Sequence, residues 1–168
     1  MITYPYLAKG RKIEYVPLTS QFMAQAKIVR DSLSTDKAYS TGVVIVKSNQ
    51  VIGRAGNQAG FKHPFLIKLH QNGWCIRRKL NIKSGEKYWL CPGCATNKKH
   101  AENLAINNAI NNVGVEKVKE ADLYLYGHWW CCEPCWNAII KAEIKHVYLL
   151  KDSETLFNIK NPKNIIKK

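Results

Sequence analysis

Two short stretches restrict this chain more than anything else in it: His100-Ala101-Glu102 and Cys132-Glu133-Pro134-Cys135. Each opens a segment of helical periodicity. Residues 100–112 set Ala101, Leu104, Ala105, Asn108 and Ala109 on one side, and residues 132–143 carry Pro134 near the first helical position. One histidine and two cysteines spaced three apart can hold a zinc ion and leave its fourth position for water. That open position marks a catalytic site, whereas structural sites are closed. The fold must therefore bring two helix N-termini to one point, where their partial positive charge favours thiolates and bound anions. Glu102 stands too close to His100 for a second ligand from the same turn and is placed to shuttle protons. Zinc brings the pKa of a bound water down to about 7.

The flanking pattern says what carries these helices. Residues 20–33 repeat Phe22, Ala26, Val29 and Leu33 at helical spacing behind Ser20, a suitable N-cap. Residues 41–47 and 51–55 are β-branched runs around Ser48-Asn49-Gln50 and predict an antiparallel hairpin. Residues 121–126 and 146–150 read as strands. The order is helix, hairpin, insertion, helix, strand, helix, strand, which implies an α/β sheet covered by helices in one domain. The expected division is an irregular N-terminal arm over 1–19, broken by Pro5, Gly10 and Pro17, a domain over 20–152, and a Lys-rich tail over 153–168. Within the domain, residues 58–99 form an insertion too long to be a bare loop.

With 168 residues the chain can bury a core without disulfides. No apolar run nears the ~20 residues of a membrane span, and residues 1–15 lack a secretory signal, so the expectation is a soluble cytoplasmic protein with no membrane partner. In that setting six cysteines point to metal or redox chemistry before disulfides. The net charge of +14 suits anionic partners such as nucleotides or nucleic acid. With 21 Lys against 5 Arg, in a chain also rich in Ile and Asn, it equally suits a generally basic surface.

The His-x-Glu and Pro-Cys-x-x-Cys pair is the signature of zinc nucleobase deaminases. Residues 132–140 with the strand 146–150 resemble the second zinc motif of the cytidine deaminase superfamily, and residues 100–106 resemble its first. The hairpin leading into Gly56-Asn57 is similar to the family's opening strands, and the resemblance covers roughly residues 20–150. Residues 73–91 resemble the insertion that many deoxycytidylate (dCMP) deaminases carry. Where the family usually has Pro before the first zinc cysteine, this chain has Cys131.

The resemblance implies a cytidine-deaminase-like three-layer α/β/α sandwich with a mixed sheet, forming homo-oligomers, often hexamers. It implies zinc on His100, Cys132 and Cys135, Glu102 as the catalytic acid–base, and dCMP converted to dUMP. Asn57, Ala101 and Trp130 would meet the substrate, with Asn57 on the sugar 3′-hydroxyl. Arg77 and Arg78 are the preferred phosphate donors over Lys79, Lys98 and Lys99, because arginine grips phosphate bidentately. The alternatives are a deaminase acting on free cytidine, or on cytosine or adenine in single-stranded RNA or DNA, with Trp74, Trp89, Trp129 and Trp130 for stacking. More distant are a non-catalytic four-cysteine zinc module and a thioredoxin-like reading of Cys91-Pro92-Gly93-Cys94. A second, structural zinc on Cys75, Cys91 and Cys94 needs a fourth ligand, His70 or His128, with His63 a weaker choice. Against it stands simple burial of the cysteines as small apolar groups.

Overall fold

The computed structural model describes residues 5–82 and 86–166, so parts of the arm, insertion and tail (1–4, 83–85 and 167–168) lie outside it. Five strands form one mixed sheet in the order β1-β5-β4-β2-β3. They are β1 (Ile13–Val16), β2 (Gly42–Lys47), β3 (Gln50–Gly56), β4 (Asp122–Tyr126) and β5 (His146–Leu150). The helices are α1 (Gln21–Leu33), α2 (Pro64–Gln71), α3 (Ile76–Lys79), α4 (Ala101–Val113), α5 (Val115–Val118), α6 (Glu133–Lys141) and α7 (Ser153–Phe157). β2 and β3 pair antiparallel through a turn in which Ser48 (φ 49°) and Asn49 (φ 64°) are left-handed, as a tight two-residue hairpin requires. β4 runs antiparallel to β2 and parallel to β5, the two parallel strands being joined by α6.

Strand alternation divides the interior into two cores. Val43 and Ile45 of β2, Leu123 and Leu125 of β4, and Val147 and Leu149 of β5 face α4 and α6, where Trp136 is fully buried. Val44, Val46, Tyr126 and Leu150 face the other way, against Met23, Ala26 and Val29 of α1 and Phe157 of α7. This is the expected three-layer α/β/α arrangement in a single domain. Among the described residues no helix is long and apolar enough to cross a membrane.

One expectation about the ends changes. The arm is not irregular throughout: β1 pairs in parallel with β5, Ile13 opposite Val147 and Val16 opposite Leu150. Four residues are too few to display alternation, and Gly10 and Pro17 bracket this edge strand without interrupting it. Arg11 fastens the arm further, donating from Nη2 to the Ile144 carbonyl at 2.6 Å and lying over the Trp136 ring. The tail packs as well, with Phe157 edge-on to Tyr126 at 5.1 Å.

The helices rest directly on glycines. A Cβ on Gly42 would overlap the α1 backbone at Ala26 and Arg30, and one on Gly53 would come within 2.6 Å of the Ala105 carbonyl and the Ala109 Cβ of α4. Neither obstacle is a flexible side-chain end. Gly42→Ala is therefore expected to destabilise the protein by about 1–3 kcal/mol, the usual cost of overpacking. Thermal or denaturant unfolding reads this, and an unchanged midpoint would refute the close approach of α1.

Candidate active site

The N-termini of α4 and α6 meet beside the ends of β3 and β4. His100 is the N-cap residue of α4 and Cys132 that of α6, and neither makes a side-chain capping hydrogen bond. Their side chains instead converge with Cys135. His100 Nδ1 lies 3.5 Å from both Cys132 Sγ and Cys135 Sγ, and the two sulfurs are 3.3 Å apart. Zinc–ligand bonds of ~2.3 Å to sulfur and ~2.0 Å to nitrogen at tetrahedral angles subtend edges of about 3.5–3.7 Å. The three donors thus fit one zinc ion with a fourth position left over. The hydrogen bond with Cys135, helped by His100, draws the Cys132 thiol down to about 5 against the effect of burial. Asn103 of α4 donates from Nδ2 to Cys135 Sγ at 3.6 Å and to the Asn97 carbonyl at 2.8 Å, tying the two motifs together.

Glu102, in the first turn of α4, is buried. Burial pushes its carboxyl above the usual range, opposed by His100. A buried carboxyl whose charged form is disfavoured can hold a proton and hand it on, as acid–base catalysis requires. Cys131 is fully buried in the core, where burial, helped by the Glu102 carboxyl, pushes its thiol well above the ordinary range, and it stands outside the three-donor group.

A cavity of about 820 Å³ opens over this centre and is lined by Asn57, Arg77, Arg78, His100, Glu102, Trp129, Trp130 and Cys132, among others. Ala101 is fully buried at the start of α4. Asn57 is nearly saturated: Oδ1 accepts from Ser34 Oγ at 2.6 Å and from the Thr41 N–H at 2.9 Å, and Nδ2 donates to the Tyr39 carbonyl at 2.8 Å. Only its second Nδ2 hydrogen is left, so toward a ligand it acts as a donor. Arg77 is buried and engaged, with Nε donating to the Glu86 carbonyl at 2.8 Å and the guanidinium 4.0 Å over the Tyr88 ring. Arg78 is exposed and lies over Tyr39 at 4.6 Å. Arg77 is thus committed to the insertion, and Arg78 is the arginine at the cavity mouth.

Some lining residues had no signal in the sequence reading. Asn158, Ile159 and exposed Lys160 come from the tail, whose buried Phe157 was the only hint that it packs. His128, weighed above as a metal ligand, does not join the insertion cysteines. Its Nδ1 accepts the N–H groups of Trp129 and Trp130 at 3.0 and 3.3 Å. Burial, helped by the neighbouring His100, lowers its pKa to about 4. His128 is therefore a neutral imidazole with its proton on Nε2. Its position directly after β4 was the available clue, since ligands gather at strand C-termini in α/β sheets.

No curated protein matches the chain. Among solved structures it is similar to guanine deaminase from Bacillus subtilis, at 19% identity over 78% of this chain and with a TM-score of 0.45. It spans 62% of that protein's length. It is also similar to a structure from work on A-to-I editing by tRNA:A34 deaminases (25% identity, 77% of this chain and 75% of that one, TM-score 0.46). A third likeness is to the apo dCMP deaminase of cyanophage S-TIM5 (18% identity, 79% and 82%, TM-score 0.44). The family model described as the cytidine and deoxycytidylate deaminase zinc-binding region matches residues 17–151. A match over that span, on a chain whose His100, Cys132, Cys135 and Glu102 meet at two helix starts, means that the protein belongs to the cytidine and deoxycytidylate deaminase family of zinc-dependent hydrolases.

Proposed function

We propose that the protein is a dCMP deaminase, converting dCMP to dUMP and ammonia. The observation that carries this reading is one cavity lined both by the Glu102 centre and by basic side chains, Arg78 and Lys160. Zinc, when bound to His100, Cys132 and Cys135, supplies Lewis-acid activation of water near neutral pH. Glu102 accepts a proton from the attacking water, whose oxygen bonds to C4 of cytosine. Glu102 delivers that proton to N3, then takes the remaining proton of the new C4 hydroxyl and passes it to the amine as the C4–N bond breaks, so the water oxygen stays on the base as a carbonyl and ammonia leaves. The remaining Asn57 N–H donates to a sugar hydroxyl, and neutral His128 and Trp130 flank the base. Arg78, with Lys160, meets the 5′-phosphate. In this reading the protein works as a cytoplasmic homo-oligomer.

A second reading, deamination within single-stranded RNA or DNA, draws on the insertion's Trp89, 76% exposed, and Trp74, 39% exposed. Ammonia release from dCMP, deoxycytidine and a short oligonucleotide separates the two. Arg78→Ala is expected to raise the KM for dCMP about 10- to 100-fold, the worth of a charge-assisted hydrogen bond, and to leave deoxycytidine turnover unchanged. Equal use of dCMP and deoxycytidine by the unaltered protein would remove the phosphate contact, and preference for the oligonucleotide would favour the second reading.

A further inference from the structure

The insertion contains a second convergence of donors. His70 from α2, Cys75 before α3, and Cys91 and Cys94 from the segment preceding α4 are all buried, and their donor atoms lie within 4.8 Å of one another. Cys94 Sγ is 3.6 Å from Cys75 Sγ and 3.4 Å from His70 Nε2, the edge lengths of a tetrahedral zinc site. Unlike the catalytic group, this one has four donors and no open position.

Burial as small apolar side chains does not account for the surroundings. Among the described residues, this cluster's core is three cysteines, with Ile76 and Tyr88 packed against them. A histidine ring enters that cluster with its Nε2 facing sulfur. On its other side Nδ1 faces Asp36 Oδ1 at 3.5 Å and has no hydrogen-bond partner at proper distance and angle. A carboxylate behind the far nitrogen is the arrangement that fixes a metal-bound histidine. Gly93 is required here, because any Cβ would overlap the His70 ring. Charge is compatible as well. Arg77, itself buried, directs Nη1 at Cys94 Sγ at 3.5 Å, a cationic donor on one of the four ligand atoms. Three thiolates bound to a divalent cation would balance that ion and this one guanidinium.

We propose that His70, Cys75, Cys91 and Cys94 form a closed structural zinc site that holds one wall of the catalytic cavity. The coupling runs through two outer contacts. Asp36 Oδ2 accepts the Ala95 N–H at 3.1 Å, and its Oδ1 accepts from the Ala38 and Tyr39 N–H groups at 3.3 Å, fixing cavity-lining backbone on both sides. Arg77 bridges Cys94 to the Tyr88 ring, which stands edge-on to His100 at 5.5 Å. Binding exchanges the thiol protons for the metal, so zinc uptake releases protons. The zinc orders the wall and takes no part in the reaction.

Elemental analysis of the full chain tests this without reference to substrate. The unaltered protein is expected to hold about two zinc ions per chain, as one open and one closed site require. Cys91→Ser is expected to hold one, and so is the double variant Cys132→Ser/Cys135→Ser, in which only the insertion site is left. Should Cys91→Ser fail to fold, the double variant still decides. Reconstituted with cobalt(II), it is expected to show the intense thiolate-to-metal absorption of a tetrahedral three-sulfur site. Asp36→Asn is expected to keep both zinc ions, weaken retention of one about 10- to 100-fold against a chelator, and raise KM with little change in kcat. A single zinc per chain, lost in the double variant and retained in Cys91→Ser, overturns the proposal and leaves the deaminase reading intact.

Discussion

Glu102→Gln is expected to keep zinc and to lose turnover by at least about 10²–10⁴-fold, the usual contribution of a positioned acid–base group. The amide preserves the shape of a side chain that is only 6% exposed, so no cavity opens beneath the site. It cannot carry a proton between water and leaving amine. Glu102 is outside the group His100, Cys132 and Cys135 that could hold the metal, so metal content should not fall. A second consequence follows from burial, which raises the Glu102 pKa. In metal-free protein a raised carboxyl pKa means the unfolded chain ionises first, so stability is lost as pH rises above the ordinary carboxyl value. The neutral amide removes that loss, and the metal-free variant should melt higher than metal-free parent protein at pH 7. Ammonia release, zinc content and thermal melts check all three points. Turnover within a few fold of the parent would sink the role of Glu102.

The sequence was most legible where one signal served both fold and chemistry. His100 and Cys132 mark helix starts and are candidate metal donors, so finding the donors also located α4 and α6. The β2–β3 hairpin was readable because β-branched residues cluster on both sides of turn residues, and β5 because it is a short apolar run. β1 escaped because a four-residue edge strand carries no period, and each of its residues pairs with one 134 positions away in β5. Asp36 escaped for a different reason. Nothing about an aspartate after a helix says that its carboxylate will meet His70 and Ala95 from an insertion still unread at that point. The arginines show the limit of composition. Arg77 and Arg78 are adjacent and chemically identical, yet one is buried against Cys94 and Tyr88 and the other faces the cavity mouth. Only the direction in which α3 packs separates them.

Cys135→Ser is expected to abolish zinc binding at the catalytic site, abolish turnover, and lower the thermal midpoint by about 8–16 °C. The last figure comes from linkage. An ion present at about a thousand times its dissociation constant stabilises the fold by ~4 kcal/mol, and ~1 kcal/mol moves the midpoint of a domain this size by ~2–4 °C. Serine is nearly isosteric, but its hydroxyl does not ionise and is a poor zinc donor, which leaves two donors where three are needed. The structural cost is concentrated at the helix starts. N-cap positions usually carry Ser, Thr, Asp or Asn to satisfy the first free N–H groups, and at His100 and Cys132 that service is absent. A metal held by His100, Cys132 and Cys135 would tie these two uncapped starts together, so losing it would loosen α4 and α6 at the same point. The Asn103 bridge survives in part, since its 2.8 Å bond to the Asn97 carbonyl does not involve Cys135. Unaltered protein stripped of both zinc ions by a chelator should therefore melt no higher than the variant, which keeps the insertion ion, and zinc should restore the parent but not the variant. A variant that keeps the parent's zinc content and midpoint would move the catalytic metal away from these helix starts and undo the assignment of the site.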